Sequence, residues 1–325
     1  MRTKNFSIFS SAVLALTLGL SSCGGGQSTQ QSGSDDLSGD ISLSGAFALY
    51  PLAQQWAEAF KQLHPNVRID ISAGGAGKGM TDALGGMVDL GMLSRDVDAS
   101  EIEKGAYPLA VAKDAVVPVI SVSNPNYDKL IATGIKKSTG IEIWINENVK
   151  TWGDFLGDQS VKEELHNYTR SDACGAAETF AKWLGKKQEN LKGTAVYGDP
   201  GVVKALQDDK LGIGMVNIAF AYDTKTLKPV AGTTPIPIDV NENGKIDDDE
   251  NFYADKKQLC QAIADGKYPS PPARKLFLVS KGKPSGVTKA FIDFILSKDG
   301  QAINETIGYI SLTEAEYTAE AEKTK

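Results

Sequence analysis

Residues 40–80 read DISLSGAFALYPLAQQWAEAFKQLHPNVRIDISAGGAGKGM, and the order of patterns in this stretch sets the fold class. Asp40–Ser44 alternates polar and apolar residues, as a half-buried strand does. Leu52–Leu63 has helical periodicity, with Trp56 and Phe60 on its inner face. Val67–Ser72 alternates again, and the loop Ala73–Gly79 then leads into a helix through Thr81–Met87. Val88–Leu93 and Ala115–Val122 continue the series as strand-like runs. Strands that alternate with helices predict an α/β fold with mainly parallel strands. In such sheets ligands gather at the carboxyl ends of the strands.

The middle of the chain has its own alternation. Glu142–Ile145 reads as a strand, Trp152–Leu156 as a helix and Leu211–Val216 as a strand. Lys275–Val279 and Thr288–Leu296 return to a strand and helix near the end. These patterns predict two α/β lobes, each a mixed, mostly parallel sheet flanked by helices. The first lobe is expected over 40–124 plus 223–325, and the second over 125–222. The tail Glu314–Lys325 is charged and alanine-rich, and reads as a solvated helix or a frayed end.

One stretch in the middle carries chemistry. Thr169–Phe180 is TRSDACGAAETF, an arginine followed by a turn of small residues that opens an amphipathic helix. The first N–H groups of a helix have no partner within it and lie at the positive end of its dipole. Small side chains let a ligand approach that backbone, and Arg170 adds a forked, permanent charge. Without a metal, that is how a protein seats a tetrahedral oxyanion. Cys174, Gly175 and Ala176 supply the turn. Two further loops have the same form, Ser44-Gly45-Ala46-Phe47 and Gly74-Gly75-Ala76-Gly77-Lys78-Gly79. Ser94 and Arg95 add a hydroxyl and a guanidinium at another strand end, and Asp96 and Asp172, beside the two arginines, are candidate acceptors for a ligand proton or else simple partners of a neighbouring charge. The glycine loop is not a nucleotide P-loop. That motif requires Ser or Thr after the lysine and a glycine five before the second one, and here those positions are Gly79 and Ser72.

From SGAFALYPLAQQWAEAF, HPNVRIDISAGGAGKGM, DLGMLSRDVD and TRSDACGAAETFAKWLG through LGIGMVNIAFA and DGKYPSPPARKLFLVSKG to AFIDFILSKDGQAINETIGYISLT, the chain resembles bacterial phosphate-binding proteins that serve ABC transporters. The resemblance covers most of 40–313. It implies a two-lobed type II periplasmic-binding-protein fold that closes on hydrogen phosphate and delivers it to a membrane permease, as a monomer. It also implies ligand contacts from Ala46, Phe47, Gly75, Ala76, Gly77, Ser94, Arg95, Arg170, Cys174, Gly175 and Ala176.

The three loops depart from the family pattern, which places Ser or Thr hydroxyls in each. Here the runs are Gly45-Ala46-Phe47-Ala48, Gly75-Ala76-Gly77-Lys78-Gly79 and Cys174-Gly175-Ala176. A hydrogen bond to a charged ligand contributes about 1.5–3 kcal/mol. Losing several weakens binding greatly, at tenfold per roughly 1.4 kcal/mol. Either Ser94, Arg95, Lys78, Arg170 or water compensates, or the ligand is another oxyanion such as sulfate, molybdate or a phosphonate, bound for transport or for surface sensing.

A second motif lies at 239–250, DVNENGKIDDDE, which fits the twelve-residue calcium loop at each defining position. Its oxygen ligands are Asp239, Asn241, Asn243, the Lys245 carbonyl, Asp247 and Glu250, with Gly244 at the sharp turn. The preceding Pro235–Ile238 cannot form the usual entering helix, so the loop stands alone, and the calcium it would take is structural.

The N-terminus predicts the compartment. Arg2 and Lys4 precede a short apolar run, Ile8–Leu20, and Leu20-Ser21-Ser22-Cys23 resembles a bacterial lipoprotein signal. Residues 1–22 are therefore expected to be removed, Cys23 to carry a lipid anchor in the cell envelope, and 23–39 to be a Gly/Ser/Gln-rich tether. The formal net charge is −7, and loss of Arg2 and Lys4 with the leader makes it −9. An acidic chain without a basic run is no nucleic-acid binder. Catalysis is not expected. The two histidines, His64 and His166, pair with no nucleophile in sequence, and a phosphatase-like role for Cys174 needs a thiol pKa lowered by Arg170 and the helix N-terminus.

Overall fold

The protein is described by a computed structural model over residues 37–325. The expected leader, Cys23 and nearly all of the expected tether lie outside the described residues. The strands are β1 (Gly39–Gly45), β2 (Val67–Ala73), β3 (Leu90–Leu93), β4 (Ala106–Ser121), β5 (His166–Arg170), β6 (Thr194–Val196), β7 (Gly212–Asn217), β8 (Thr233–Pro235) and β9 (Ala273–Lys281). They join in the order β2-β1-β3-β9-β4-β7-β5-β6, with β8 also on β4. Pairing is parallel at the two ends, β2-β1-β3 and β7-β5-β6, and antiparallel where β9, β4 and β7 cross the middle.

The sixteen residues of β4 belong to both lobes. Ala106–Ala115 pair with β9, and Val116–Ile120 pair with β7. The partner changes at Ala115/Val116, and the hydrophobic cores divide there too. One core holds Ile41, Leu43, Trp56, Phe60, Leu109 and Phe291, and the other begins at Ala115 and holds Trp144, Trp152, Phe180 and Tyr268.

The helix Tyr50–Leu63 buries Leu52, Ala53, Trp56, Ala57 and Phe60, the three-and-four spacing that faces a core. Trp56 Nε1 donates to the Gly300 carbonyl at 3.0 Å, and the Phe60 ring lies 5.1 Å from Phe291. Full burial of such side chains contributes about 1.5–3 kcal/mol each. These contacts tie the end of the chain back onto its beginning.

Three expectations change. Glu142–Ile145 is not a strand, because a helix runs from Lys137 to Trp144 and buries Gly140, Ile143 and Trp144 on one side. A four-residue apolar run does not carry enough period to separate the two states. The core also does not change hands at 222/223. Ile236, Ile238, Tyr253, Leu259 and Tyr268 pack in the second core, and the chain returns to the first only at Leu276. The pairing of β8 with the second half of β4 causes this. The expected calcium loop accordingly sits on the second lobe, with Asp239 N–H and Ile246 N–H donating to the carbonyls of Ile135 and Ala132.

The tail is neither frayed nor simply solvated. Glu314–Thr324 is a helix with a capping box between Thr313 and Glu316, docked along β4. Glu316 pairs with Lys113 at 2.9 Å, and the Tyr107 hydroxyl donates to the Lys323 carbonyl at 2.6 Å. Glu320 accepts the Ala110 N–H at 3.1 Å. That N–H lies at the register shift between Ala110 and Ala112, where β4 and β9 fall out of step. The carboxylate thus satisfies a donor that an irregular ladder would leave exposed. Among the described residues no helix is long and apolar enough to cross a membrane.

Candidate functional site

Arg170 is the last residue of β5, at the carboxyl end of the strand. Four residues on, Cys174 caps the helix Gly175–Trp183, its Sγ accepting the Ala177 N–H at 3.4 Å. Gly175 and Ala176 are the first helical positions, so their N–H groups have no acceptor within the helix. The helix start that the sequence suggests at 174–176 is therefore present, with a sulfur cap in place of a hydroxyl.

The first-lobe loops come up against it. Gly75 has φ +91°, and a Cβ there would stand 2.9 Å from the Ala173 carbonyl oxygen and 3.0 Å from an Asp172 carboxylate oxygen. A Cβ on Gly175 would stand 2.1 Å from the Ser94 carbonyl oxygen. These glycines are needed for one lobe to approach the other. Gly77 N–H crosses between lobes to the Ala173 carbonyl at 3.1 Å. The N–H groups of Ala46 and Gly75 donate to the carbonyls of Met92 and Gly45. Three of the expected backbone donors are thus already occupied, whereas Phe47 and Ala76 stand, like Gly175 and Ala176, at the first position or two of helices. Phe47 also crosses the gap. Its ring centroid is 5.5 Å from the Arg170 guanidinium carbon, and it meets Tyr197 edge-on at 5.9 Å.

The Arg170 side chain is wholly buried, and each of its three nitrogens donates to a carboxylate. Its Nε and Nη2 donate to Asp172 at 2.8 and 2.7 Å, and Nη1 donates to Asp199 at 2.7 Å. Burial works against its charge, but Asp199 and Asp172 outweigh that, and its pKa lies above the ordinary arginine value. Burial also pushes the Cys174 thiol up to about 12, against the pull of Arg170. The lowered pKa that a thiol nucleophile requires is not there. Cys174 and Cys260 are both free thiols.

Two of the expected contributors face elsewhere. Arg95 forks onto Glu101 at 2.9 and 2.6 Å and approaches Glu178 at 3.5 Å, on the wall of a cleft of about 470 Å³ beside the seat. Asp96 is exposed and bridges to Lys182 at 3.0 Å. Of the two carboxylates expected to accept a ligand proton, only Asp172 is at the seat. Lys78 pairs with Asp82, which also accepts the Ser44 hydroxyl at 2.6 Å.

Sequence reading missed Asp199, Asn217 and Arg274. Asp199 accepts the N–H and the side-chain amide of Asn217 at 2.7 and 2.8 Å. The side-chain amide oxygen of Asn217 in turn accepts from Arg274, which pairs with Asp114 at 2.9 Å. A relay of buried groups thus runs Asp172–Arg170–Asp199–Asn217–Arg274–Asp114. The only signal for Arg274 was a basic residue at the head of an apolar strand, in PPARKLFLVSKG.

Residues 29–299 match the family model described as a PBP superfamily domain. The chain belongs to the PBP superfamily. Within this PBP chain's full length the curated relatives are also similar. It is 27% identical over 328 residues to the phosphate-binding protein PstS of Bacillus subtilis (strain 168), covering 98% of each chain. It is 24% identical to the PstS of Methanocaldococcus jannaschii, covering 93% of this chain and 92% of that protein. A crystal structure with bound phosphate from Clostridium perfringens superposes with a TM-score of 0.69, at 22% identity, over 85% of this chain and 100% of that one. An ABC-type phosphate transport receptor from Vibrio cholerae gives 0.59 at 17% identity, over 84% and 100%. The PBP fold is of type II, as the sequence resemblance to the PstS-like proteins implies.

In the loop 239–250 the side chains of Asp239 and Glu250 turn inward. Asp239 accepts the N–H groups of Asn243 and Gly244 at 3.1 and 2.7 Å, and Glu250 accepts those of Val240 and Asp247 at 2.9 and 3.2 Å. Asp247 takes the side-chain amides of Asn241 and Asn243 at 3.1 and 2.7 Å and pairs with Lys245. Asp239 and Glu250 are buried. Among the described residues no group of three or more His, Cys, Asp or Glu side chains is spaced to hold a metal on its own. The calcium reading therefore leans on Asn241, Asn243 and the Lys245 carbonyl as well.

Proposed function

We propose that this chain is the substrate-binding component of an ABC importer for inorganic phosphate, held at the membrane by a lipid on Cys23. The observation that carries the reading is the meeting of helix N-termini from both lobes around Arg170. It is supported by curated relatives of nearly the same length that are named phosphate-binding proteins.

Phosphate would sit between the N–H groups of Phe47, Ala76, Gly175 and Ala176, with the Ser94 hydroxyl and the edge of Arg170 beside it. Asp172, already bonded to Arg170, is the acceptor for a proton on the ligand. A protonated phosphate offers that proton and fully ionised sulfate does not. The protein would then present the closed, loaded form to a permease. The 239–250 loop would take calcium as a structural brace on the second lobe, remote in sequence from the seat.

A second reading is a binding protein for another oxyanion, favoured by the alanines and cysteine where hydroxyls are expected in the relatives. Isothermal titration of the protein without its leader against phosphate, sulfate, molybdate and methylphosphonate separates the two. The phosphate reading requires phosphate to bind at least tenfold more tightly than sulfate. Preference for any other anion in the panel overturns it.

A further inference from the structure

Arg274 stands at the point where β4 changes partners. It is the register partner of Asp114 in the β9–β4 ladder, and Asn217 is the partner of Val116 in the β4–β7 ladder. Its side chain is only 7% exposed, yet every N–H position of the guanidinium has an acceptor. Nε donates to Asp114 at 2.9 Å, and Nη2 faces the other Asp114 oxygen and Asn217 Oδ1. Nη1 donates to the Gly175 carbonyl and to the Thr179 hydroxyl at 3.0 Å. Gly175 and Thr179 are one turn apart, so a single nitrogen grips one face of the first turn of the helix that forms the seat.

That grip comes from the strand crossover, because Ala273 still packs against the second core, which holds the helix Gly175–Trp183, and β9 enters the first core only at Leu276. A cation at a helix N-terminus is unfavourable to the empty helix, since it opposes the dipole. Asp114 offsets that cost locally. For an anion on the Gly175 and Ala176 N–H groups, the same cation adds to the positive potential. The Arg274 guanidinium also continues through Asn217 and Asp199 to Arg170, so both cations near the seat are held in one hydrogen-bonded chain.

We propose that Arg274 is a positioning residue: it fixes the first turn of the helix Gly175–Trp183 to the strand crossover at Asp114 and Asn217, and thereby sets anion affinity without touching the anion. This rests on the phosphate reading for its ligand, though the positioning itself can be observed without one.

The test compares the parent with Arg274→Met, Arg274→Lys and Thr179→Val. Amide exchange is followed over 175–178 without ligand, and phosphate binding by titration calorimetry. Arg274→Met is expected to speed exchange at Ala177 and Glu178 at least tenfold and to weaken phosphate at least tenfold. Arg274→Lys should recover part of both. Thr179→Val, which removes one acceptor and keeps the side-chain shape, should move both in the same direction by a smaller factor, and it decides the matter if Arg274→Met does not fold. Parent-like exchange over 175–178 in these variants overturns the proposal, as does weakened binding with unchanged exchange. If the parent itself takes up no phosphate, the functional reading falls, while the exchange measurement still decides the role of Arg274.

Discussion

Arg170 Nη1 and Asp199 Oδ2 are 2.7 Å apart, and neither side chain exposes any surface to solvent. Removing one member of a buried ion pair leaves the other charge without compensation, at a cost of about 3–5 kcal/mol. Asp199→Ala is therefore expected to lower unfolding stability by about that amount. Because Asp199 also holds Asn217, the loss should reach the strand crossover. Urea denaturation checks this, and a change under 1 kcal/mol contradicts the buried pairing.

Cys174→Ser restores an oxygen at the cap of the seat helix. The hydroxyl can accept the Ala177 N–H, as the sulfur does now, and donate its own proton to an anion. One added hydrogen bond to a charged ligand strengthens binding by about 1.5–3 kcal/mol. Phosphate affinity measured by calorimetry should rise about tenfold or more, which is that energy expressed as a ratio. Equal or weaker binding would show that the cap does not face the ligand.

Calcium added to the metal-stripped protein should raise its melting temperature, and Glu250→Gln should abolish the rise. Glu250 is the expected bidentate ligand and now accepts N–H bonds from both sides of the loop. Identical melting curves with chelator and with millimolar calcium would remove the metal from the account.

His166 reports on pH. Its Nδ1 lies 2.7 Å from Asp209, which also accepts the Tyr168 hydroxyl, and Glu164 stands 3.5 Å from Nε2. Burial tends to lower its pKa, but Asp209 and then Glu164 prevail and hold it above the ordinary histidine value. A raised folded-state pKa contributes stability that is complete below the unfolded value near 6.5 and is lost as pH rises through the folded one. The difference in urea midpoint between the parent and His166→Gln should accordingly shrink between pH 6 and pH 8.5. A constant difference across that range would mean that the imidazolium is not what stabilises the fold.

The docked terminal helix has a matching acid-side signature. Burial raises the pKa of Glu316, but the bond from Lys113 and the Thr313 N–H outweigh it and bring it down to about 2. The stability it contributes is present above the ordinary glutamate value and fades as pH falls toward 2. For a pair this open to solvent the effect is under about 1 kcal/mol. Glu316→Gln should leave amide protection in 314–324 lower at pH 7 and remove its decline below pH 4.

The strand–loop–helix order of 40–80 was legible because its alternation and helical faces are regular, and so was the turn from Arg170 into the helix Gly175–Trp183, because an arginine and small residues precede an amphipathic run. What sequence did not carry was the partners. Asp199 and Arg274 sit in unremarkable local contexts and meet only after β5, β7 and β9 are brought together by long-range pairing. The same applies to Arg95, whose neighbours in sequence gave no sign that Glu101 and Glu178 would claim its charge. Gly75 and Gly175 also make room for Ala173 and Ser94 across the loops, which no local pattern announces.

The buried relay contains three carboxylates, Asp114, Asp172 and Asp199, against two guanidiniums, and the whole sequence is formally −7. An approaching anion therefore meets repulsion at long range, and attraction only once it touches the helix ends. Association should be slow for its size and should quicken with added inert salt, up to the point where the screening length of about 8–10 Å is reached. Electrostatically steered capture has the opposite salt dependence. For the proposed anion ligand, encounter is then the step that low ionic strength slows most.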